Sequence, residues 1–177
     1  MKEIGLHGRG GQGVVLSGEM LANVYFYEGY EVQFMPSYGA ERRGSPSNAF
    51  VRIDNKKIYN RYAVTIPDMV VVFNMSLISD IKVKDDGVVL LNSSEKFAKG
   101  STDAKIFTVN ANEIALSLNL GTPSMPIINT ALLGAFCKIS NDYSFENLEK
   151  VIKKTIGKKA DINIKAAKLA FDNVREI

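Results

Sequence analysis

Hydrophobic and polar residues follow two periods along this chain, one typical of strands and one typical of helices, and segments of the two kinds alternate. A strand-like run at the N-terminus leads to residues 12–28, where apolar residues recur near helical spacing until Gly29. Residues 31–36 are short, β-prone and closed by a proline, which predicts a second strand. Strand, helix and strand make a βαβ unit, whose handedness predicts a second strand parallel to the first.

The middle of the chain adds strands of two kinds. Residues 49–53 alternate like a half-buried strand, and residues 54–57 turn the chain towards a short partner strand around Ile58 and Tyr59. This hairpin predicts a mixed sheet. Residues 69–74 are almost unbroken in apolar character, which is typical of a strand buried on both faces and predicts the centre of the sheet.

The alternation continues to the C-terminus. It predicts a short helix at 76–81, strands at 88–92 and 106–109, and a helix at 114–118 started by Asn110 and Glu113. Residues 127–139 are apolar on most sides, so this helix is predicted to be deeply packed or to cover a subunit contact. Ser144 and Asp161 are predicted to cap the last two helices. The whole chain, residues 1–177, is thus predicted as a single three-layer α/β/α domain with a mixed, mostly parallel sheet and a Rossmann-like start.

Composition limits the classes of partner and function that the chain can have. The chain has 177 residues, of which 46% are hydrophobic, and a net charge of +3, so it can bury one core but lacks the basic stripe expected of a nucleic-acid partner. The lysines near the C-terminus most simply form a solvated face, with a basic docking patch as the alternative. We expect a cytoplasmic protein without a membrane partner, because the N-terminus lacks a signal-like segment and no apolar run approaches the ~20 residues of a membrane helix.

Cysteine and histidine are each present once. Cys137 lies in an apolar run, which is typical of a buried thiol, and His7 at the end of a strand is more typical of a packed residue than of a catalytic base. One cysteine and one histidine are too few for an iron–sulfur cluster or a zinc site. We therefore expect no cofactor to be bound by this chain alone, and we expect metal chemistry to belong to another chain.

The segment after the first strand carries the clearest motif. Gly8, Gly10 and Gly13 have GxGxxG spacing, and Arg9, Gly11 and Gln12 lie between them. Such a turn lets backbone N–H groups approach a phosphate closely. A dinucleotide site would also need a carboxylate at the end of the second strand, and none is there. An anion or phosphate site of another kind, or a purely structural turn, is therefore favoured.

A second unusual segment follows the second strand. Residues 36–47 contain glycines, prolines and charges without periodicity, which predicts a loop. Because both segments follow parallel strands, we expect them to emerge at the carboxyl ends of adjacent strands, where ligands bind. The candidate binding residues of the loop are Tyr38, Glu41, Arg42 and Arg43, with the arginines as forked donors held by Glu41. A salt-bridged surface loop is the alternative.

Several motifs together resemble a known family. These are HGRGGQGV at 7–14, PSYGAERRGSP at 36–46, AFVRI at 49–53, PDMVVV at 67–72 and NTALLGA at 129–135. In this order they resemble the gamma subunit of pyruvate and related 2-oxoacid:ferredoxin oxidoreductases. The resemblance implies a stand-alone version of a domain that is fused into one long polypeptide in single-chain members.

The resemblance also implies a reaction and partners. Such complexes oxidatively decarboxylate a 2-oxoacid with coenzyme A, giving acyl-CoA, CO2 and reduced ferredoxin. Thiamine diphosphate lies between the alpha and beta subunits, and beta and delta hold the [4Fe–4S] clusters. The ERRG sequence at 41–44 resembles pyruvate and branched-chain members, so pyruvate is the expected substrate. The glycine turn and the Arg42/Arg43 loop are then expected to receive coenzyme A. The alternatives are a free-standing nucleotide-binding oxidoreductase and a purely structural subunit.

Overall fold

The computed structural model of the chain describes residues 1–37, 44–94 and 103–177. Its strands are β1 (Lys2–Arg9), β2 (Glu31–Ser37), β3 (Pro46–Asp54), β4 (Met69–Val72), β5 (Val88–Asn92), β6 (Lys105–Val109), β7 (Gly121–Thr122), β8 (Met125–Pro126) and β9 (Arg175–Glu176). Its α-helices are α1 (Val14–Tyr27), α2 (Ala111–Ser117), α3 (Asn129–Ser140), α4 (Phe145–Ile156) and α5 (Ala160–Asn173). Two 3₁₀ helices cover Met75–Asp80 and Gly157–Lys159.

Seven of the strands form one mixed sheet in the order β2-β3-β1-β4-β5-β6-β9, and β7 and β8 form a separate small hairpin. Strands β1, β4, β5 and β6 run parallel to one another, whereas β3 and β9 run antiparallel to their neighbours. The predicted central strand is confirmed, because β4 is the fourth of the seven strands and all its residues are buried. The predicted α/β class with a mixed sheet is likewise confirmed.

The two faces of the sheet carry unequal layers. Residues from all five described α-helices join one hydrophobic cluster with Ile4, Leu6, Val71 and other residues of one sheet face. On the other face, a smaller cluster around Val70 and Leu91 is covered by the first 3₁₀ helix and the segment after it. The helical layer on one side is therefore thick, and the described layer on the other side is thin.

The position of β2 corrects one expectation. Strand β2 runs parallel to β1, as predicted, because each is antiparallel to β3. It is not adjacent to β1, however, since β3 lies between them. The predicted hairpin partner around Ile58 and Tyr59 is also wrong: β3 uses both its edges on β1 and β2, so no edge is left for a further strand.

The segment after β3 is held over the sheet by the buried side chain of Arg52. Its side chain is only 1% exposed and donates hydrogen bonds to Glu3 Oε1 at 2.8 Å and to Gln33 Oε1 at 2.6 Å. It also donates to the carbonyl oxygens of Asn60 and Tyr62, at 3.3 and 2.9 Å. A buried guanidinium must have its donors satisfied, so this arginine holds the segment over the sheet.

Helix starts were partly predicted correctly. The Ser144 hydroxyl accepts from Asn147 N at 3.2 Å, and Asn110 Oδ1 accepts from Glu113 N at 3.1 Å, which confirms both caps. The prediction that Asp161 caps the last helix is wrong, because α5 begins after Lys159 and Asp161 lies in its first turn. The predicted helix at 76–81 is a 3₁₀ helix. Within the described residues, no helix has the length and apolar character needed to cross a membrane.

Candidate anion-binding site

The glycine turn lies at the edge of the sheet where β1 ends and α1 begins. In the strand registers, Arg9 pairs with Pro46 and Ser37 pairs with Asn48. The end of β1, the start of β3 and the end of β2 therefore meet at this edge. The two predicted segments belong to the same edge, although their strands are not adjacent.

Gly8 permits close packing between β1 and α1. A Cβ atom on Gly8 would lie 2.6 Å from Val14 Cγ2 and 2.8 Å from Phe73 Cβ. Contacts this short do not occur between real side chains, so only glycine lets the first turn of α1 approach the ends of β1 and β4.

Two residues of the motif stabilise the turn itself. Gln12 Oε1 accepts a hydrogen bond from Arg9 N at 2.8 Å, and Gln12 N donates to Arg9 O at 3.1 Å. Gly10 N donates to Ser45 O at 2.8 Å. The side-chain oxygen of Gln12 and the N–H group of Gly10 therefore already have hydrogen-bond partners within the protein.

Arg9 connects the turn to its surroundings. Its Nη1 donates to Gly44 O at 2.9 Å, and its Nε and Nη2 donate to Ser76 Oγ at 3.1 and 2.7 Å. An arginine has five N–H donors, and three contacts leave part of this fork available. Arg9 therefore anchors the segment before β3 and keeps its positive charge at the site.

The free donors of the turn belong to Gly11 and Gly13. Their φ angles are 97° and 75°, a left-handed conformation that favours glycine. Among the described residues, neither N–H group has a hydrogen-bond acceptor. Helix α1 starts directly after Gly13, with no side-chain cap and no acidic residue in its first turn. The positive end of its dipole is thus uncompensated, which favours an anion.

The second predicted segment is only partly described. Tyr38, Glu41, Arg42 and Arg43 lie outside the described residues. The residues on either side of them are placed at the site: Ser37 ends β2 at this edge, and Gly44 contacts Arg9 and Gly10.

Asn129 was missed as a candidate site residue. It is the first residue of α3, and its Nδ2 atom lies 3.2 Å from the position of a Cβ atom on Gly13. The start of α3 thus adjoins the start of α1. Asn129 belongs to the NTALLGA motif, but its sequence position gives no sign that the two helix ends meet.

His7 and Cys137 have the packed environments predicted for them. His7 Nδ1 lies 3.0 Å from Asn48 Oδ1, its ring packs edge-on against Phe50, and burial lowers the pKa of its imidazole. Cys137 Sγ donates to Tyr143 O at 3.4 Å, and burial raises the pKa of its thiol to about 12. A buried thiol with a raised pKa stays protonated at neutral pH and is therefore a poor nucleophile.

The residues do not fit a resident iron–sulfur cluster. Such a cluster needs several thiolate ligands, and the whole sequence contains one cysteine. Within the part of the chain that the structure describes, no group of three or more histidine, cysteine, aspartate or glutamate side chains is placed to hold a metal ion.

Together, the fold and the site define an α/β domain whose first strand ends in a glycine turn with the geometry of an anion-binding site. Residues 3–173 match the family model of pyruvate ferredoxin/flavodoxin oxidoreductase. The chain belongs to this family.

Relatives match over nearly the whole length. The chain is 43% identical to pyruvate synthase subunit PorC of Methanothermobacter thermautotrophicus, over 100% of this chain and 98% of that protein. It is 41% identical to the common subunit gamma of the pyruvate/ketoisovalerate oxidoreductases of Pyrococcus furiosus, over 97% and 96%. The crystal structure of pyruvate oxidoreductase subunit PORC from Thermotoga maritima is similar, with a TM-score of 0.83, 33% identity and 99% coverage of both chains. The predicted family and the predicted gamma-subunit type are confirmed.

Proposed function

We propose that the chain is the gamma subunit of a 2-oxoacid:ferredoxin oxidoreductase with pyruvate as substrate, and that its glycine turn helps to bind coenzyme A. One observation carries the second part: at the uncapped start of α1, the N–H groups of Gly11 and Gly13 have no acceptor within residues 1–37, 44–94 and 103–177. Coenzyme A is the anionic substrate of the proposed reaction, and its phosphates match such donors.

The proposed reaction converts a 2-oxoacid and coenzyme A into acyl-CoA and CO2, with the released electrons passed to ferredoxin. The chain has too few cysteines for the clusters that carry these electrons. We therefore propose that thiamine diphosphate and the [4Fe–4S] clusters are bound by alpha, beta and delta subunits of a cytoplasmic complex. The contribution of this chain is to bind and orient the anionic substrate.

Pyruvate is proposed as the substrate because relatives over the full length carry its name. The Pyrococcus relative is named as the common gamma subunit of the pyruvate and ketoisovalerate oxidoreductases. Its name therefore assigns one gamma chain to enzymes for two substrates. We therefore propose that the partner subunits select the 2-oxoacid.

The proposed binding surface combines backbone and side-chain donors. Gly11 and Gly13 supply N–H groups, and Arg9 supplies charge beside them. We propose that Arg42 and Arg43 add forked donors from the neighbouring segment, with Tyr38 and Glu41 orienting them. Charged forks bind phosphate more strongly than neutral donors do.

The test is titration of the assembled complex with coenzyme A. We expect the double variant Arg42→Ala/Arg43→Ala to raise the dissociation constant and the KM for coenzyme A by about tenfold or more, because charge-assisted hydrogen bonds are lost. A matched control, Lys153→Ala/Lys165→Ala, removes the same charge from exposed positions on α4 and α5. We expect the control to leave both constants unchanged.

Other outcomes would favour the alternatives. Unchanged constants in the arginine variant would contradict the coenzyme A site. If the arginine variant changed only the yield of assembled complex, the chain would be a structural subunit. If the isolated chain bound a nicotinamide or flavin and turned over alone, it would be a free-standing enzyme.

A further inference from the structure

The segment between β3 and β4, residues 55–67, exposes two aromatic rings. Val64 and Pro67 are buried and attach the segment to the protein. Tyr59 and Tyr62, in contrast, are 79% and 83% exposed, and they are the two most exposed large hydrophobic side chains within the described residues. The chain itself therefore does not bury these two rings.

The backbone that carries the rings is fixed. The buried Arg52 donates hydrogen bonds to the carbonyl oxygens of Asn60 and Tyr62. The Asn60 side chain holds the turn from within, because its Oδ1 accepts from Tyr62 N at 2.9 Å. A surface that is ordered before binding loses little conformational entropy when a partner docks. The tyrosines are thus presented on a preorganised support.

The charge of the segment has one sign. It contains three cations and no carboxylate: Lys56, Lys57 and Arg61. The carboxylates at its two ends are already used, because Asp54 forms an ion pair with the N-terminal amino group and Asp68 forms one with Lys84. In the part of the chain that the structure describes, none of the three cations has an ion pair. This surface therefore complements a negatively charged one.

We propose that residues 55–67 dock an acidic surface of a partner subunit in the oxidoreductase complex. The inference rests on the proposed function, because it needs such a complex, and it locates a subunit contact on this chain. Tyr59 and Tyr62 are the anchors. Lys57, whose Nζ lies 5.6 Å from the centre of the Tyr59 ring, and Arg61 pair with carboxylates around them. Tyrosine and arginine are the residue types that contribute most to binding at protein interfaces.

The same features disfavour other occupants. Three cations on one short segment do not make the long basic stripe that follows the phosphates of a nucleic acid. A second copy of the chain would bring two positive segments together, which costs energy. Relatives of this chain are named as subunits of larger enzymes, so a different protein chain is the partner that fits.

Removal of the two rings tests the anchors. The tagged full chain is purified from its native host, and companion subunits recovered per chain are quantified by mass spectrometry. We expect Tyr59→Ser/Tyr62→Ser to reduce this ratio by about tenfold or more, because interface tyrosines carry much of the binding energy. Phe26→Ser/Tyr27→Ser removes two exposed rings from the end of α1 and is expected to keep the wild-type ratio.

Charge reversal tests the complementarity independently. We expect Arg61→Glu to lower the ratio about tenfold at low ionic strength and less at high ionic strength, because salt screens the new repulsion. Lys153→Glu makes the same change at an exposed position on α4 and is expected to have no effect. Thermal denaturation of the purified proteins checks that each variant is folded.

Zero-length crosslinking identifies what the segment touches. A carbodiimide joins a lysine amine to a carboxylate that lies at ion-pair distance. In the wild-type complex we expect Lys56 or Lys57 to be joined to an aspartate or glutamate of a companion subunit. Lys56→Arg/Lys57→Arg keeps the charge but removes the amines, so these crosslinks should disappear while the companions are retained. Crosslinks from this segment only to a second copy of the chain, or none to a companion, would overturn the inference.

The outcomes separate this inference from the proposed function. If the wild-type chain is recovered without companions, the proposed complex fails and the docking surface fails with it. If the wild-type chain brings companions and the folded tyrosine and Arg61 variants retain them equally, only the docking surface fails. If these variants keep their companions but lose a co-purifying nucleic acid, the segment binds nucleic acid and the inference is overturned.

Discussion

His7 lies one residue before the glycine motif but is packed away from α1. A Cβ atom on Gly5 would lie 2.8 Å from His7 Nε2, and this nitrogen is buried without a partner among the described residues. Asn48 Oδ1 accepts at Nδ1, so the hydrogen of the neutral ring lies there. A proton on Nε2 would be buried without an acceptor, which explains why burial lowers the pKa of His7.

This environment predicts a pH-dependent stability. The pKa of His7 is lower in the folded chain than its ordinary value of 6.5, so the unfolded chain binds the proton more readily. The stabilising contribution is complete above pH 6.5 and is lost as the pH falls below it. We expect wild type to lose stability over this window by up to about 1.4 kcal/mol per pH unit more than His7→Gln, measured by urea denaturation. Because His7 is the only histidine, parallel curves for the two proteins would contradict the prediction.

The site residues differed in how far sequence could predict them. Gly8, Gly11 and Gly13 were recognisable because close packing and positive φ angles leave a glycine signature. The contacts of Arg9 could not be predicted, because its partners Gly44 and Ser76 are distant in sequence. The position of Asn129 beside Gly13 could not be predicted for the same reason. A polar residue at a helix start is typical of an ordinary cap, and its sequence position does not indicate which residue it contacts.

At the scale of elements, α3 and α5 form the closest helix pair. A Cβ atom on Gly134 would overlap the carbonyl oxygen of Ala167 and lie 2.5 Å from its carbonyl carbon. The two helices therefore cross with backbones almost in contact, and nine consecutive residues of α3, from Asn129 to Cys137, are buried. The apolar character of residues 127–139 predicted this burial, but not the partner helix.

Gly134→Ala tests this contact. We expect the free energy of unfolding to fall by about 2–3 kcal/mol or more, because the added methyl group forces the helices apart. Lys165→Ala, an exposed change on α5, is expected to stay within about 0.5 kcal/mol of wild type. Chemical denaturation of the two variants measures the difference, and equal stabilities would show that the crossing tolerates a side chain.

Strand order was the weakest element-level prediction. Hydrophobic alternation predicted the position of β3 in the sequence, because the two faces of this strand differ in burial. Alternation does not indicate which strands lie on either side of it. The interior position of β3 is seen only in the structure, where both of its edges are paired, one with β1 and one with β2.

At the scale of the whole molecule, the chain has a proposed substrate-binding edge and too few cysteines for an iron–sulfur cluster. It has one cysteine, and burial of that residue keeps it protonated. Electron transfer from a 2-oxoacid to ferredoxin therefore requires groups that this chain does not hold, which is why partner subunits are part of the proposed function.

Affinity purification of the tagged chain from its native host tests the assembly. We expect companion subunits together with bound iron, acid-labile sulfide and thiamine diphosphate, detected by mass spectrometry, metal analysis and thiochrome fluorescence. An untagged strain carried through the same purification is the control. Recovery of the chain without companions would contradict the proposed complex.

The sequence by itself determined the α/β class, the central strand, the glycine turn and the family, because each of these leaves a local pattern or a motif in consecutive residues. Only the tertiary structure decided that β3 separates β1 from β2, that Arg9 connects the turn to Gly44 and Ser76, and that the start of α3 meets the start of α1. These features join residues far apart in the chain. Gly13 at the start of α1 and Asn129 at the start of α3 lie far apart in the sequence, and only the packing of the two helices brings them together.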